Sequence, residues 1–186
     1  MFNTKEQQHL LPLNILLADD DSDDCHFFKE ALKEFPISTH LTAVHDGEQL
    51  MQELTKETNE LPHVLFLDLN MPRKNGFECL YEIKLNEKLK QLPVIIYSTS
   101  FHKSIADMLY KNGANYYISK PTEISQLKKV VQEMLSLIAT NMYEGNAENL
   151  SQPVKENFVL SMERKNSKAF SWFNNFFVIP FEENLN

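Results

Sequence analysis

Residues 63–68 read HVLFLD, an apolar run that ends abruptly on a carboxylate. A run this short, made of Val, Leu and Phe without polar alternation, predicts a strand buried on both faces, as in a parallel sheet. Four further runs are short and rich in Ile, Val, Leu or aromatics, and several of them also lack polar alternation: LNILLA (13–18), HLTAV (40–44), PVIIYS (93–98) and NYYIS (115–119).

Amphipathic stretches separate them. Asp21 or Ser22 can cap a helix that turns Cys25, Phe28, Leu32 and Phe35 inward. Asp46, with Gln49 three residues on, resembles a capping box ahead of Leu50 and Leu54. Gly113 follows a helical stretch with Ile105, Met108 and Leu109, where a left-handed residue closes a helix. After Pro121, with Thr122 as the expected N-cap, Ile124, Leu127, Val131, Met134 and Ile138 form a stripe at helical spacing. Alternating strands and helices imply right-handed crossovers, hence a doubly wound five-stranded parallel sheet of the α/β class with helices on both faces. In such sheets ligands gather beyond the strands' carboxyl ends, at the point where the strand order reverses.

The residues at those ends can do chemistry together. The first strand runs into Asp19, Asp20 and Asp21, the third into Asp68, the fourth into Ser98, and Lys120 follows the fifth. Carboxylates converging in a partly dry cleft repel one another, and a hard divalent cation such as Mg²⁺ resolves the conflict through oxygen ligands. An Asp carboxylate can also attack phosphorus, after which the phosphoryl oxygens need cations and donors around them. The same acidic run has EF-hand offsets at Asp19, Asp21, Asp23 and Glu30, but Asp24 stands at the turn glycine and a strand precedes it. Asp23 and Asp24 read as the solvated start of a helix.

The segments ILLADDDSDD (15–24), LFLDLNMPRKNG (65–76), PVIIYSTS (93–100) and GANYYISKP (113–121) resemble the signature blocks of receiver domains in two-component signalling, a flavodoxin-like fold. The resemblance implies Asp68 as phosphoacceptor and Asp19, Asp20, Asp68 and the Asn70 carbonyl as Mg²⁺ ligands. It makes Ser98 and Lys120 the groups that stabilise the phosphoryl, and Ser98 and Tyr117 the switch residues. Met71, Pro72 and Gly76 match the loop after the acceptor. Pro121 matches a structural proline whose peptide bond is usually cis in receivers. Thr99 replaces a frequent alanine, and Ser100 occupies a site that influences the lifetime of the phosphorylated state. The implied donor is a sensor histidine kinase or a histidine phosphotransfer protein, and the signal leaves through contacts with a downstream protein. Such a receiver is a switch and not an enzyme beyond its own phosphoryl transfer and loss. A haloacid dehalogenase-like phosphatase also combines an Asp nucleophile, Mg²⁺ and a lysine, but usually carries a second Asp two residues after the nucleophile, where this chain has Asn70. A receiver-fold scaffold that is never phosphorylated is the other alternative.

Composition narrows the class further. With 42% hydrophobic and 24% charged residues the chain has the make-up of an ordinary globular protein, and its net charge of -8 argues against direct DNA binding. Cys25 and Cys79 are too few for a disulfide framework, and the six histidines show no ligand spacing. No run suits a signal peptide or a membrane span, so the cytoplasm is expected.

The expected organisation is an N-terminal extension (1–12), a receiver domain (13–140), and a linker with an aromatic C-terminal tail (141–186). Residues 158–181 hold six of the thirteen phenylalanines and the only tryptophan. Exposing Phe170, Trp172, Phe173, Phe176 and Phe177 would cost roughly 1.5–3 kcal/mol each. That tail can dock on its own receiver or a second copy in a homodimer, engage another protein, or lie on a membrane through Arg164, Lys165 and Lys168; these stay open.

Overall fold

The computed structural model describes residues 12–57, 60–99, 101–143, 152–161 and 177–178. Ser100, the N-terminal extension up to residue 11, and Arg164, Lys165, Lys168, Phe170, Trp172, Phe173 and Phe176 of the tail lie outside them.

Five strands and five helices alternate from Leu13 to Tyr143: β1 (Leu13–Ala18), α1 (Ser22–Leu32), β2 (Thr39–Val44), α2 (Gly47–Leu54), β3 (Val64–Leu67), α3 (Gly76–Leu85), β4 (Val94–Ser98), α4 (Lys103–Lys111), β5 (Tyr116–Ser119) and α5 (Ile124–Tyr143). Two short strands follow, β6 (Val159–Ser161) and β7 (Phe177–Val178). The sheet runs β2-β1-β3-β4-β5-β6-β7. Its first six strands are parallel, and β7 is antiparallel to β6. The expected doubly wound sheet is therefore present, extended past β5.

Period-2 alternation builds two cores. Leu13, Ile15 and Leu17 point with Phe66, Ile95 and Tyr97 toward α1 and α5, while Leu16 and Ala18 point with Leu65, Leu67 and Ile96 toward α2, α3 and α4. Phe28, Phe66 and Tyr97 meet edge to face at 4.8–6.4 Å on the first side. Edge strand β2 is half-buried, as expected of a strand paired on one side.

The helix ends follow local chemistry. Asp21 caps α1 by accepting from the Asp23 and Asp24 amides. Asp46 accepts from the Gln49 amide, but the Gln49 side chain accepts from His45 N, so the box closes one residue early. The reciprocal capping box stands at Asn75 and Glu78 on α3. Gly113 has φ 87°, the left-handed value its place after α4 demands. At α5 the ladder opens from the Glu123 carbonyl and not from the expected cap Thr122, and Ile124 of the expected apolar stripe is 44% exposed. Leu127, Val131, Met134 and Ile138 are buried.

The segment before β6 straps across the α4–β5 side. Gln152 Nε2 donates to the Tyr110 and Ala114 carbonyls at 2.6 and 2.8 Å, and the Tyr110 hydroxyl donates to Pro153 O at 3.1 Å. Tyr117 N then donates to Phe158 O at 2.9 Å. Phe158 is fully buried, edge to face with Tyr110 at 5.3 Å. A parallel sheet ending at β5 would leave a row of unpaired backbone groups, and β6 covers them. No helix among the described residues is long and apolar enough to cross a membrane.

Candidate functional site

Strand order reverses at β1, between β2 and β3, and the residues just past β1 and β3 face that crevice. Backbone bonds pin them there: Asp19 N donates to Val44 O at 3.0 Å and Asp68 N to Ala18 O at 2.9 Å. Asp19 is fully buried and Asp68 is 4% exposed, while Asp20 and Asn70 face solvent. One oxygen from each of Asp19, Asp20 and Asp68 lies within 4.8 Å of the others, an all-oxygen donor set. Oxygen donors with two water-facing neighbours suit a hard divalent cation that retains water ligands.

Lys120 supplies the opposing charge from beyond β5. Its Nζ sits 2.7 Å from Asp19 Oδ2, 2.7 Å from Asp24 Oδ2 and 3.4 Å from Asp68 Oδ1. The ammonium also lies 5.2 Å from the centre of the Tyr97 ring. Burial works to lower its pKa, but the bonds to Asp19 and Asp24 and the nearby charges outweigh it and hold Lys120 above its ordinary value. For Asp19 the balance falls the other way: burial pushes its carboxyl up to about 6 despite the bond to Lys120, and the Asp68 charge adds to the rise. Asp68 Oδ2 accepts from Asn70 N at 2.7 Å, which leaves Oδ1 toward Lys120.

The loop after Asp68 is shaped by close backbone approach. A Cβ on Gly76 would stand 2.2 Å from the Asp68 carbonyl oxygen, so only glycine fits. Arg73 takes φ 63° in that loop and pairs with the buried Asp46 at the head of α2. A left-handed arginine held by a buried carboxylate ties the loop after Asp68 to the β2–α2 connection.

Ser98 ends β4 and is fully buried, and its carbonyl accepts from Lys120 N at 2.9 Å. Tyr117 is also fully buried, its ring edge to face with Phe101 at 5.6 Å. Burial pushes the Tyr117 phenol up to about 12, with Ser98 opposing and the Asp68 charge adding. Tyr116 points to the α1–α5 side. The Lys120–Pro121 bond is trans, and no peptide bond among the described residues is cis. The small trans preference of a prolyl amide makes trans the default wherever packing does not select otherwise. Asp24 is the residue that sequence reasoning missed. It reads as a solvated helix start, but the turn of α1 aims it at Lys120.

The response regulator receiver domain model matches residues 15–132. Response regulator Rcp1 of Synechocystis is 35% identical over 65% of this chain and 85% of its own. A chemotaxis protein CheY homologue of Campylobacter jejuni is 32% identical over 73% of this chain and all of its own. Among solved structures, the Mn²⁺-bound form of Rcp1 is similar with TM-score 0.62 and 31% identity, covering 77% of this chain and 100% of that one. The phosphorylated cyanobacterial phytochrome response regulator RcpA is similar with TM-score 0.65 and 30% identity, covering 76% and 100%. With the family model spanning most of the chain, and the acidic crevice and lysine at the strand ends, this chain belongs to the response regulator receiver domain family.

Proposed function

We propose that Asp68 accepts a phosphoryl group from a sensor histidine kinase or histidine phosphotransfer protein, in an Mg²⁺-dependent reaction in the cytoplasm, and that the change is read by a downstream protein. The observation that carries this reading is the nearly closed Asp68 carboxylate, 3.4 Å from Lys120 and clustered with Asp19 and Asp20. The receiver spans 13–140 in this reading, and 141–186 is a linker and aromatic tail that completes α5 and lends β6 to the receiver's sheet. Two relatives support the chemistry, one described as Mn²⁺-bound and one as phosphorylated.

Asp19, Asp20, Asp68 and the Asn70 carbonyl would hold the cation. Held by these residues, a divalent cation would offset the charge of the acids and draw electron density from the phosphoryl oxygens. An Asp68 oxygen attacks phosphorus as the bond to the donor nitrogen breaks, giving an acyl phosphate. The Asn70 amide holds one Asp68 oxygen and so fixes the plane of the carboxylate for attack. Lys120 meets the incoming negative charge, and the Ser98 hydroxyl donates to a phosphoryl oxygen. Drawing Ser98 toward the phosphoryl changes the space beside Tyr117, whose backbone is bonded to Phe158.

Mass spectrometry after incubation with acetyl phosphate and Mg²⁺ tests the proposal. A single phosphoryl adduct is expected on the wild type and none on Asp68→Asn. No wild-type adduct, or the same adduct on the variant, overturns it.

A further inference from the structure

Asp24 lies on the first turn of α1, and the Asp21 cap fixes its backbone by accepting from the amides of Asp23 and Asp24 at 2.8 and 3.4 Å. That places Asp24 Oδ2 2.7 Å from Lys120 Nζ, nearer than Asp68 Oδ1 at 3.4 Å. The Asp24 side chain is 31% exposed, while that of Lys120 is only 7% exposed. Asp24 is not among the acids whose oxygens cluster to hold a cation. Its partner in the site is the ammonium.

Resting on the reading of Asp68 as acceptor, we infer that Asp24 is a positioning residue that competes with the phosphorylated acceptor for Lys120 and thereby limits the lifetime of the phosphoryl group. An ammonium has three N–H donors in tetrahedral array. Asp19 and Asp24 each lie at the distance of a strong charge-assisted bond, and Asp68 lies beyond it. A phosphoryl group on Asp68 recruits the ammonium toward its oxygens, and that movement stretches the Asp24 pair. The pair is thus strongest before phosphorylation and weaker after it, so it favours the unmodified state. In the loss step water attacks phosphorus, the bond to the Asp68 oxygen breaks, and inorganic phosphate leaves. A lysine withheld from the phosphoryl group leaves its charge less well compensated, which raises the free energy of the acyl phosphate.

The test compares wild type, Asp24→Asn and Asp24→Ala, each charged with acetyl phosphate and Mg²⁺ and then freed of donor by rapid gel filtration. Decay of the adduct is followed by mass spectrometry. Asn keeps the size and an acceptor oxygen but loses the charge. Both variants are expected to hold the adduct roughly tenfold longer, the scale of one charge-assisted hydrogen bond. Half-lives within twofold of the wild type overturn the inference while leaving the acceptor reading intact. In a Lys120→Gln background the Asp24→Asn effect is expected to vanish, and its persistence also overturns the inference. A wild type that takes no phosphoryl group overturns both readings together. A second measurement needs no variant: in the wild type bound to beryllium fluoride and Mg²⁺, the Lys120–Asp24 separation is expected to exceed hydrogen-bond distance. An unchanged pair there, with Lys120 also on the fluoride, is the contrary result.

Discussion

At the carboxyl ends of β1 and β3, Asp19 and Asp68 are buried beside one ammonium, and burial, against the pull of Lys120, leaves Asp19 at about 6. Along β5 the situation is reversed. Phe158 fills a closed apolar site, the Tyr117 amide meets the Phe158 carbonyl, and the Tyr110 hydroxyl meets Pro153. One region crowds buried acids around a single ammonium, and the other satisfies its polar groups locally. The contrast teaches that this fold keeps its unresolved electrostatics in the crevice and anchors the far side of Tyr117 with packing and backbone bonds.

Substitutions in the two regions should then move stability in opposite directions. The largest effect is expected from Phe158→Ala, which leaves a cavity under the strap and should lower unfolding free energy by about 3–5 kcal/mol in urea titration. A loss under ~1 kcal/mol would mean that the strap does not share the core.

The next effect has the opposite sign. The folded state holds the Asp19 proton more tightly than the ordinary value of 3.8, so stability from this group is full below that value and is lost as pH rises through about 6. In chelator, Asp19→Asn should therefore raise stability at pH 7 by about 3 kcal/mol and flatten the slope between pH 4 and 7. The same variant should lose any stabilisation by added Mg²⁺. A chelated variant less stable than the wild type would show that the bond to Lys120 outweighs burial.

The smallest effect belongs to Tyr110→Phe, which removes the hydroxyl bonded to Pro153 O and keeps the ring against Phe158. A loss of about 1 kcal/mol is expected by thermal or urea unfolding. No change would mean that water replaces the tyrosine bond at no cost.

The crevice was legible because apolar strands deliver their next residue to a known end of the sheet. That reasoning reaches Asp19, Asp68, Ser98 and Lys120, and alternation along β5 separates Tyr117 from Tyr116. Asp24 escaped it, since an acid on a first helical turn looks the same whether it faces water or a lysine 96 residues away. Strand β6 escaped it too: three residues after a polar segment carry almost no periodic signal. Arg73 could not be foreseen in a left-handed conformation, because its pairing with Asp46 joins loops distant in sequence.

By itself the sequence determined the doubly wound α/β class, the two apolar faces of the strands and the acids and lysine at their ends, since these follow from local periodicity and chain direction. Only the tertiary structure decided that Lys120 is shared with Asp24, that Asp19 resists ionisation, and that β6 covers the edge of β5. Those outcomes depend on distances between segments far apart in the chain, and on how little water reaches the space between them.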